Sequence, residues 1–368
     1  MKHIVLLLPT HWAAALGGAE YQVKILSEHL RATGRVRLTW VCRRIAEDYR
    51  PKGYEIRQVA PHSGLRRHGF FLDHFRLGRL LQELAPDAIY QRVGCAYTGI
   101  AARYARRSGC RMVWHVASDG DVTPANGWPL RDTLLPFRRL EKAALEYGIR
   151  HAPRIVVQTH HQASLLKTHY RRDAIALVRN FHPSAREAID KSGPWTVLWI
   201  GNLKPVKNPL AFVDLAHAFA DRNDVRFLMI GDPSGDPACA REIARRAVDL
   251  PGFRFLGKLA QDQVNELLAT SHLLVNTSYL EGFSNTFIQA WMRQVPVLSL
   301  NVDPDQVLEK QEVGICARGN AATLHQALYG LLTDDSRRRR LGHRAQTHAE
   351  ENHSERNIQT LIGLLDNS

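Results

Sequence analysis

The stretch with the clearest chemical content is Glu281-Gly282-Phe283-Ser284-Asn285-Thr286, with Gln289 close behind it. An acidic residue in a turn, followed by a helix that Ser284, Asn285 and Thr286 open, leaves the first N–H groups without intrahelical partners. Those groups point at a phosphate or at sugar hydroxyls, and the helix dipole favours an anion there. Glu281 just before the helix and Gln289 about two turns into it fall on one wall of a pocket. Upstream, Lys207 ends the loop Gly201-Asn202-Leu203-Lys204-Pro205-Val206-Lys207 just ahead of a helix that begins near Pro209. It adds a full positive charge to the partial charge of that helix end, which suits a diphosphate. Together these residue types fit a phosphorylated, polyhydroxylated ligand.

Two loops of the first half belong beside them. Gly17-Gly18-Ala19-Glu20 opens a helix after an apolar strand. Paired glycines let the backbone approach a ligand closely, although they also occur as simple turns. Trp114-His115-Val116-Ala117-Ser118-Asp119-Gly120-Asp121 closes a strand. There His115 and Asp119 are expected to project from the strand end, where an imidazole bonds a sugar hydroxyl and a carboxylate holds an acceptor. The plainer alternative for His115 is a structural histidine.

The elements that position these groups alternate. In the first half, strands are predicted at Lys2 to Leu8, Arg37 to Cys42, Ala88 to Arg92, Arg111 to Val116 and Arg154 to Gln158. Helices lie between them, from Ala19 to Thr33 and near 71–85, 97–108 and 130–150. In the second half, strands are predicted at Trp195 to Ile200, Val225 to Gly231, Phe253 to Leu256, Leu273 to Thr277 and Val295 to Leu300. Helical patterns follow over Ala321 to Leu332 and Arg337 to Leu365. Alternating βα units imply an α/β chain with two doubly wound parallel sheets, binding ligands at the carboxyl ends of their strands. A chain of 368 residues suits two domains. The boundary is expected near Asn180 to Gly193, where Pro183, Gly193 and Pro194 break the pattern.

These pieces, in this order, resemble the retaining glycosyltransferases of family 4 (glycosyl transferases group 1), whose GT-B fold faces two Rossmann-like domains across a cleft. The family's Glu-x7-Glu motif stands here as Glu281-x7-Gln289, and its Gly-Arg-Leu-x-x-x-Lys element as Gly201-Asn202-Leu203 through Lys207. Two charged positions are therefore amides. The resemblance implies an acceptor-binding domain at 1–182 and a nucleotide-sugar domain at 183–368, with the last helix returning to the first domain. It implies that Glu281 binds donor-sugar hydroxyls and Gln289 the ribose, while Lys207 and Asn202 hold the diphosphate. Gly18, Asp232, Lys258, Leu259, Gly282, Phe283, Ser284, Asn285 and Thr286 complete the donor site, the loop at Lys258-Leu259 meeting the base. Gly17, Gly18, Glu20, His115 and Asp119 would line the acceptor side. Lys207, Glu281 and His115 would carry catalysis.

The implied activity is transfer of a sugar, with retention, from a UDP- or GDP-linked donor to a saccharide or polyprenyl-diphosphate-linked acceptor in bacterial surface or extracellular polysaccharide synthesis. No cofactor beyond the nucleotide sugar is expected, and no metal. Asp303-Pro304-Asp305 has the spacing of a metal motif but reads as a turn after a strand. Asn202 and Gln289 leave open a catalytically weak nucleotide-sugar-binding scaffold, and the fold leaves open a nucleotide-sugar epimerase.

Composition narrows the setting. Ile4 to Leu8 is five apolar residues before Pro9, too short for a membrane span or a signal-peptide core. Cys42, Cys95, Cys110, Cys239 and Cys316 form no CxxC pair, which fits a reducing cytosol. The net charge of +13 is uneven: residues 1–180 hold 29 Lys and Arg against 14 Asp and Glu, and the rest hold 20 against 22. Such a basic half suggests an anionic partner, a membrane face or nucleic acid, or else only a solvated arginine-rich surface. Phe70 to Leu84 is amphipathic with Arg66, Arg67, Arg76 and Arg79 alongside, which fits either a membrane-interface helix or a core helix with a wet face. Without a recognition motif or aromatics interleaved among the bases, nucleic acid is not expected. The expected location is cytoplasmic, with peripheral contact at the inner face of the membrane.

Overall fold

A computed structural model describes residues 1–61, 63–64, 69–124 and 135–366. The chain divides into two compact units, one made of Met1–Phe181 with Glu355–Ser368 and the other of His182–Ser354.

The first unit holds a seven-stranded sheet in the order β3-β2-β1-β4-β5-β6-β7, every pairing parallel. The strands are β1 (Lys2–Leu7), β2 (Val36–Cys42), β3 (Glu55–Gln58), β4 (Ala88–Arg92), β5 (Arg111–His115), β6 (Arg154–Val157) and β7 (Ala176–Leu177). Its helices are α1 (Gly18–Ala32), α2 (His74–Leu84), α3 (Ala96–Ser108), α4 (Leu135–His151) and α5 (His160–Tyr170). β1 shows why an unbroken apolar run makes a central strand. Val5 and Leu7 enter one core while Ile4, Leu6 and Leu8 enter the core on the other face.

The second unit repeats the plan with six parallel strands, ordered β10-β9-β8-β11-β12-β13. They are β8 (Trp195–Ile200), β9 (Val225–Ile230), β10 (Phe253–Phe255), β11 (Leu273–Asn276), β12 (Val297–Ser299) and β13 (Gly314–Cys316). The helices here are α6 (Pro209–His217), α7 (Pro237–Arg246), α8 (Gln261–Thr270), α9 (Asn285–Trp291), α10 (Val307–Lys310), α11 (Ala321–Thr333) and α12 (Asp335–Asn352). In both sheets the order reverses once, between β1 and β4 and between β8 and β11. A parallel sheet opens a crevice at such a point, beyond the carboxyl ends of its strands.

The single helical pattern read from Arg337 to Leu365 is two helices. α12 ends at Asn352, His353-Ser354 is a bend, and α13 (Glu355–Asp366) starts afresh. α13 belongs to the first unit, where Ile358, Leu361 and Leu365 join the core of β1, β2 and α1. Its start is tied down by Asn357 Nδ2, which donates to the Arg179 carbonyl at 3.1 Å. Arg66 and Arg67 lie outside the described residues, as does part of the helix expected near 130–150. All five cysteines are free thiols. Among the described residues no helix is long and apolar enough to cross a membrane.

Candidate functional site

At the reversal point of the second sheet, the loops after β8 and β11 meet. The first passes through a short 3-10 turn at Pro205–Lys207, then Asn208 in the left-handed region (φ 46°), which an Asn tolerates, and enters α6. The second is pinned to it. Tyr279 N donates to the Val206 carbonyl at 2.8 Å, and Thr277 Oγ1 donates to the Lys207 carbonyl at 2.9 Å while accepting from Trp199 Nε1 at 2.9 Å.

This lacing brings Lys207 Nζ onto Glu281 Oε1 in a direct ion pair between residues 74 apart in sequence. The side chains remain 24% and 13% exposed, so the pair lies at a surface rather than in a core. Ser278 Oγ donates to the same Glu281 oxygen at 2.8 Å. Ser278 is itself held by Asn276 Nδ2 at 3.3 Å, and its carbonyl accepts from Asn301 Nδ2 at 3.1 Å. Glu281 therefore has a fixed direction.

The other expected donor residues are arranged unequally around this pair. Asn202 is exposed in the Lys207 loop. Ser284 precedes α9, its hydroxyl 2.9 Å from that of Thr286, and Asn285 and Thr286 are half-buried. Gln289 is 5% exposed, and no hydrogen bond of its side-chain amide is found among the described residues. Gly282 is buried in the turn. The Phe283 ring is 7% exposed and packs against Trp291 and His353, at centroid distances of 6.0 and 4.7 Å. The side chain anchors the turn to the core. Asp232 caps the turn after β9 by accepting from Ser234 N at 2.9 Å, and Lys258 lies 3.4 Å from it across the β10 loop that also carries Leu259. Hydrogen bonds from Ser234 and the Lys258 charge hold the Asp232 carboxyl below its usual range. Asp303 accepts from Leu308 N at 2.8 Å, so it closes the turn into α10.

At the reversal point of the first sheet, Gly17 stands before α1 with its carbonyl accepting from Tyr21 N at 3.0 Å, Gly18 is exposed, and Glu20 lies half-buried in the first turn. His115 is corrected by the structure. Its ring is 1% exposed, and both nitrogens are engaged within its own unit. Nε2 donates to the Val178 carbonyl at 3.1 Å, which leaves Nδ1 to accept from the Tyr90 hydroxyl at 2.7 Å. Burial first, then the Arg92 charge, push its pKa well below the ordinary histidine value, so it is neutral. It does not project from the strand end; it fastens the chain at Val178. Asp119 is also engaged, accepting from Gln162 Nε2 at 3.1 Å.

Sequence reasoning missed several groups here. Arg92, 2% exposed, donates to Asn180 Oδ1 at 2.5 Å, and Gln22 bonds both the N–H and the carbonyl of Phe181 at 2.9 and 2.7 Å. Asp121 accepts from Ala117 N at 2.8 Å and Ser118 N at 3.2 Å, and Gly94 N also faces it. Burial pushes its carboxyl up and these bonds oppose the shift. Val93, a β-branched residue, sits at φ 73°, a costly conformation held by Gln91 Nε2 on its carbonyl at 2.6 Å. Nothing in the sequence signals Val93, whereas Ser278, three residues before Glu281, was open to notice.

Residues 16–186 match the model of Glycosyltransferase Family 4, and residues 194–334 that of Glycosyl transferases group 1. Glycosyltransferase 1 domain-containing protein 1 of Xenopus tropicalis is 26% identical over 155 residues, 42% of this chain and 45% of that protein. The chain spans less than half the length of the first curated relatives it matches. The crystal structure of WaaG, a glycosyltransferase involved in lipopolysaccharide biosynthesis, superposes with a TM-score of 0.79 at 17% identity, over 99% of this chain and 100% of that one. HepE of Anabaena in complex with UDP-glucose gives 0.74 at 16% identity, over 99% and 98%. With one family model in each unit and two-sheet glycosyltransferase structures matching nearly end to end, the chain belongs to the glycosyltransferases of group 1 and family 4 and has the GT-B fold.

Proposed function

We propose that the protein transfers a sugar, with retention of configuration and without a metal ion, from a nucleoside-diphosphate sugar to a saccharide or polyprenyl-diphosphate-linked acceptor in bacterial surface or extracellular polysaccharide synthesis. The observation that carries this reading is the Lys207–Glu281 pair at the sheet's reversal point, fixed by Ser278. UDP is the favoured base because the fold neighbour HepE was solved with UDP-glucose.

In this reading the donor diphosphate draws Lys207 away from Glu281. The ammonium then neutralises charge as the bond from the anomeric carbon to phosphate breaks, and the N–H groups opening at Asn285 and Thr286 add to it. The freed carboxylate accepts from donor-sugar hydroxyls, and Gln289 reaches the ribose. The acceptor oxygen bonds to the anomeric carbon on the face the phosphate leaves, and its proton passes to the departing phosphate oxygen. The products are a glycoside and a nucleoside diphosphate. Arrangement of the acceptor falls to the Gly17-Gly18 loop, Glu20 and Asp119.

A panel of UDP-, GDP- and ADP-sugars scored by thermal shift tests the donor, since binding raises the melting temperature by mass action. A UDP-sugar is expected to give the largest shift, and no shift with any donor overturns the reading. The amides at Asn202 and Gln289 favour one alternative, a nucleotide-sugar-binding scaffold. Donor binding with neither transfer nor slow donor hydrolysis would select it.

A further inference from the structure

We propose that Trp12 and Tyr49 form a corner of the first unit that binds a non-reacting sugar ring of the acceptor. This rests on the reading of a saccharide acceptor and adds a subsite to it, apart from the Gly17-Gly18 loop, Glu20 and Asp119.

Trp12 lies in the loop between β1 and α1, and Tyr49 in the loop that follows β2. β1 and β2 are neighbours in the sheet, so both loops leave its carboxyl end, where a parallel sheet takes its ligands. A bridge between Thr10 and Arg44 and a bond from His11 N to the Arg44 carbonyl at 2.8 Å lace the two loops together. The Trp12 and Tyr49 rings stand at 74° with centroids 5.0 Å apart. Behind them His11 is fully buried, its ring 5.0 Å from that of Tyr49 and 4.7 Å from that of Trp40. Trp12 and Tyr49 themselves are only half-buried. Lys24 Nζ of α1 lies 5.2 Å from the Trp12 ring centre and pairs with Glu28 at 2.7 Å, which holds the indole in place.

The hydrogen bonds behind the corner run in one direction. Ala13 N donates to His11 Nδ1 at 3.2 Å, so the imidazole proton sits on Nε2. Burial holds the His11 pKa down at about 4, which keeps the ring neutral. Nε2 therefore donates to the Tyr54 hydroxyl at 3.0 Å, and the Trp12 indole N–H faces the same oxygen. With its oxygen accepting, Tyr54 gives its own hydrogen to the Tyr49 hydroxyl at 2.9 Å. The Tyr49 hydrogen, at the end of this chain, has no acceptor among the described residues.

A half-buried aromatic corner that ends in an unmatched O–H donor suits one kind of ligand. A pyranose ring offers C–H faces to the two aromatic rings and a ring or hydroxyl oxygen to Tyr49. A hydrocarbon chain would cover the rings and leave the donor unmatched. The corner holds no base: Ala13 N occupies the His11 lone pair, and burial first, then the bond to Tyr49, push the Tyr54 phenol up. A ring held there is bound without reacting.

Saturation-transfer NMR of the full chain with cellobiose, maltose and N,N′-diacetylchitobiose tests the corner. At least one of these disaccharides should receive saturation on the C–H protons of one of its rings. Trp12→Ala should weaken that binding about tenfold, through the apolar surface no longer covered. Tyr49→Phe, which keeps the ring and removes the donor, should weaken it about fivefold. The thermal shift with a UDP-sugar should be the same in both variants as in the parent, so failure of the donor site and failure of the corner are read separately. Melting temperatures confirm that each variant folds, and Tyr49→Phe decides if Trp12→Ala does not. The proposal is overturned if no disaccharide is saturated, if the folded variants bind it like the parent, if they lose the UDP-sugar shift to the same degree, or if uridine in place of a disaccharide gives the Trp12-dependent signal.

Discussion

The two units share one strand plan yet equip its reversal point in opposite ways. In the second, a lysine and a glutamate from facing loops stand at the surface, paired mainly with each other. In the first, the ionisable groups at the strand ends are tied to the fold: Arg92 and His115 hold the segment from Val178 to Asn180, and Asp121 holds backbone amides. The glycine loop at Gly17-Gly18 and the start of α1 stay at the surface there. One sheet end carries a partly exposed ion pair joining two loops, while the polar groups of the other hold the chain itself.

The sharpest way to break this contrast is to remove Lys207 and Glu281 together by alanine. Transfer should fall by about two to three orders of magnitude, and the thermal shift with a UDP-sugar should disappear. Unchanged turnover in a folded protein would refute the donor assignment. Asp121→Ala should do the reverse. It strands three backbone N–H groups and should cost about 3 kcal/mol in denaturant unfolding, while the donor-induced shift stays the same.

Acidification sharpens the comparison further. Burial holds His11 and His182 down at about 4, and it lowers His3, His115 and His272 as well. A folded value below the unfolded one means that the unfolded chain binds the proton first. Stability is therefore full above about pH 6.5 and is lost below it, for His11 and His182 by up to about 1.4 kcal/mol per pH unit until the pH nears their folded value of about 4. Three of the five lie in the first unit, so calorimetry between about pH 7 and 5 should show that unit weakening more. The smallest effect is expected from Asn202→Arg, which places a charge where an exposed amide stands. Donor affinity by titration calorimetry should tighten roughly fivefold.

The alternation of strands and helices was legible because buried parallel strands must be continuous apolar runs, as in Ile4 to Leu8 and Trp195 to Ile200. The placing of the Lys207 and Glu281 loops at strand ends followed from the same alternation, but the ion pair between residues 74 apart in sequence did not. Nor was the direction of a side chain at a strand end legible. Whether His115 or Phe283 faces out or in depends on backbone angles at one or two residues and on partners as distant as Val178 and His353. Short or edge elements such as β3 and β7 carry too few apolar residues to show a period. The break between α12 and α13 has no Gly or Pro to announce it, only Asn352-His353-Ser354.

Because α13 completes the core around β1 and β2 from the far end of the chain, the first unit stays unfinished while the ribosome makes everything from His182 to Ser354. The second unit has all of its residues once Ser354 emerges, before the first unit has all of its own. A ribosome that stalls before Ile358 leaves that apolar seam open to chaperones and proteases.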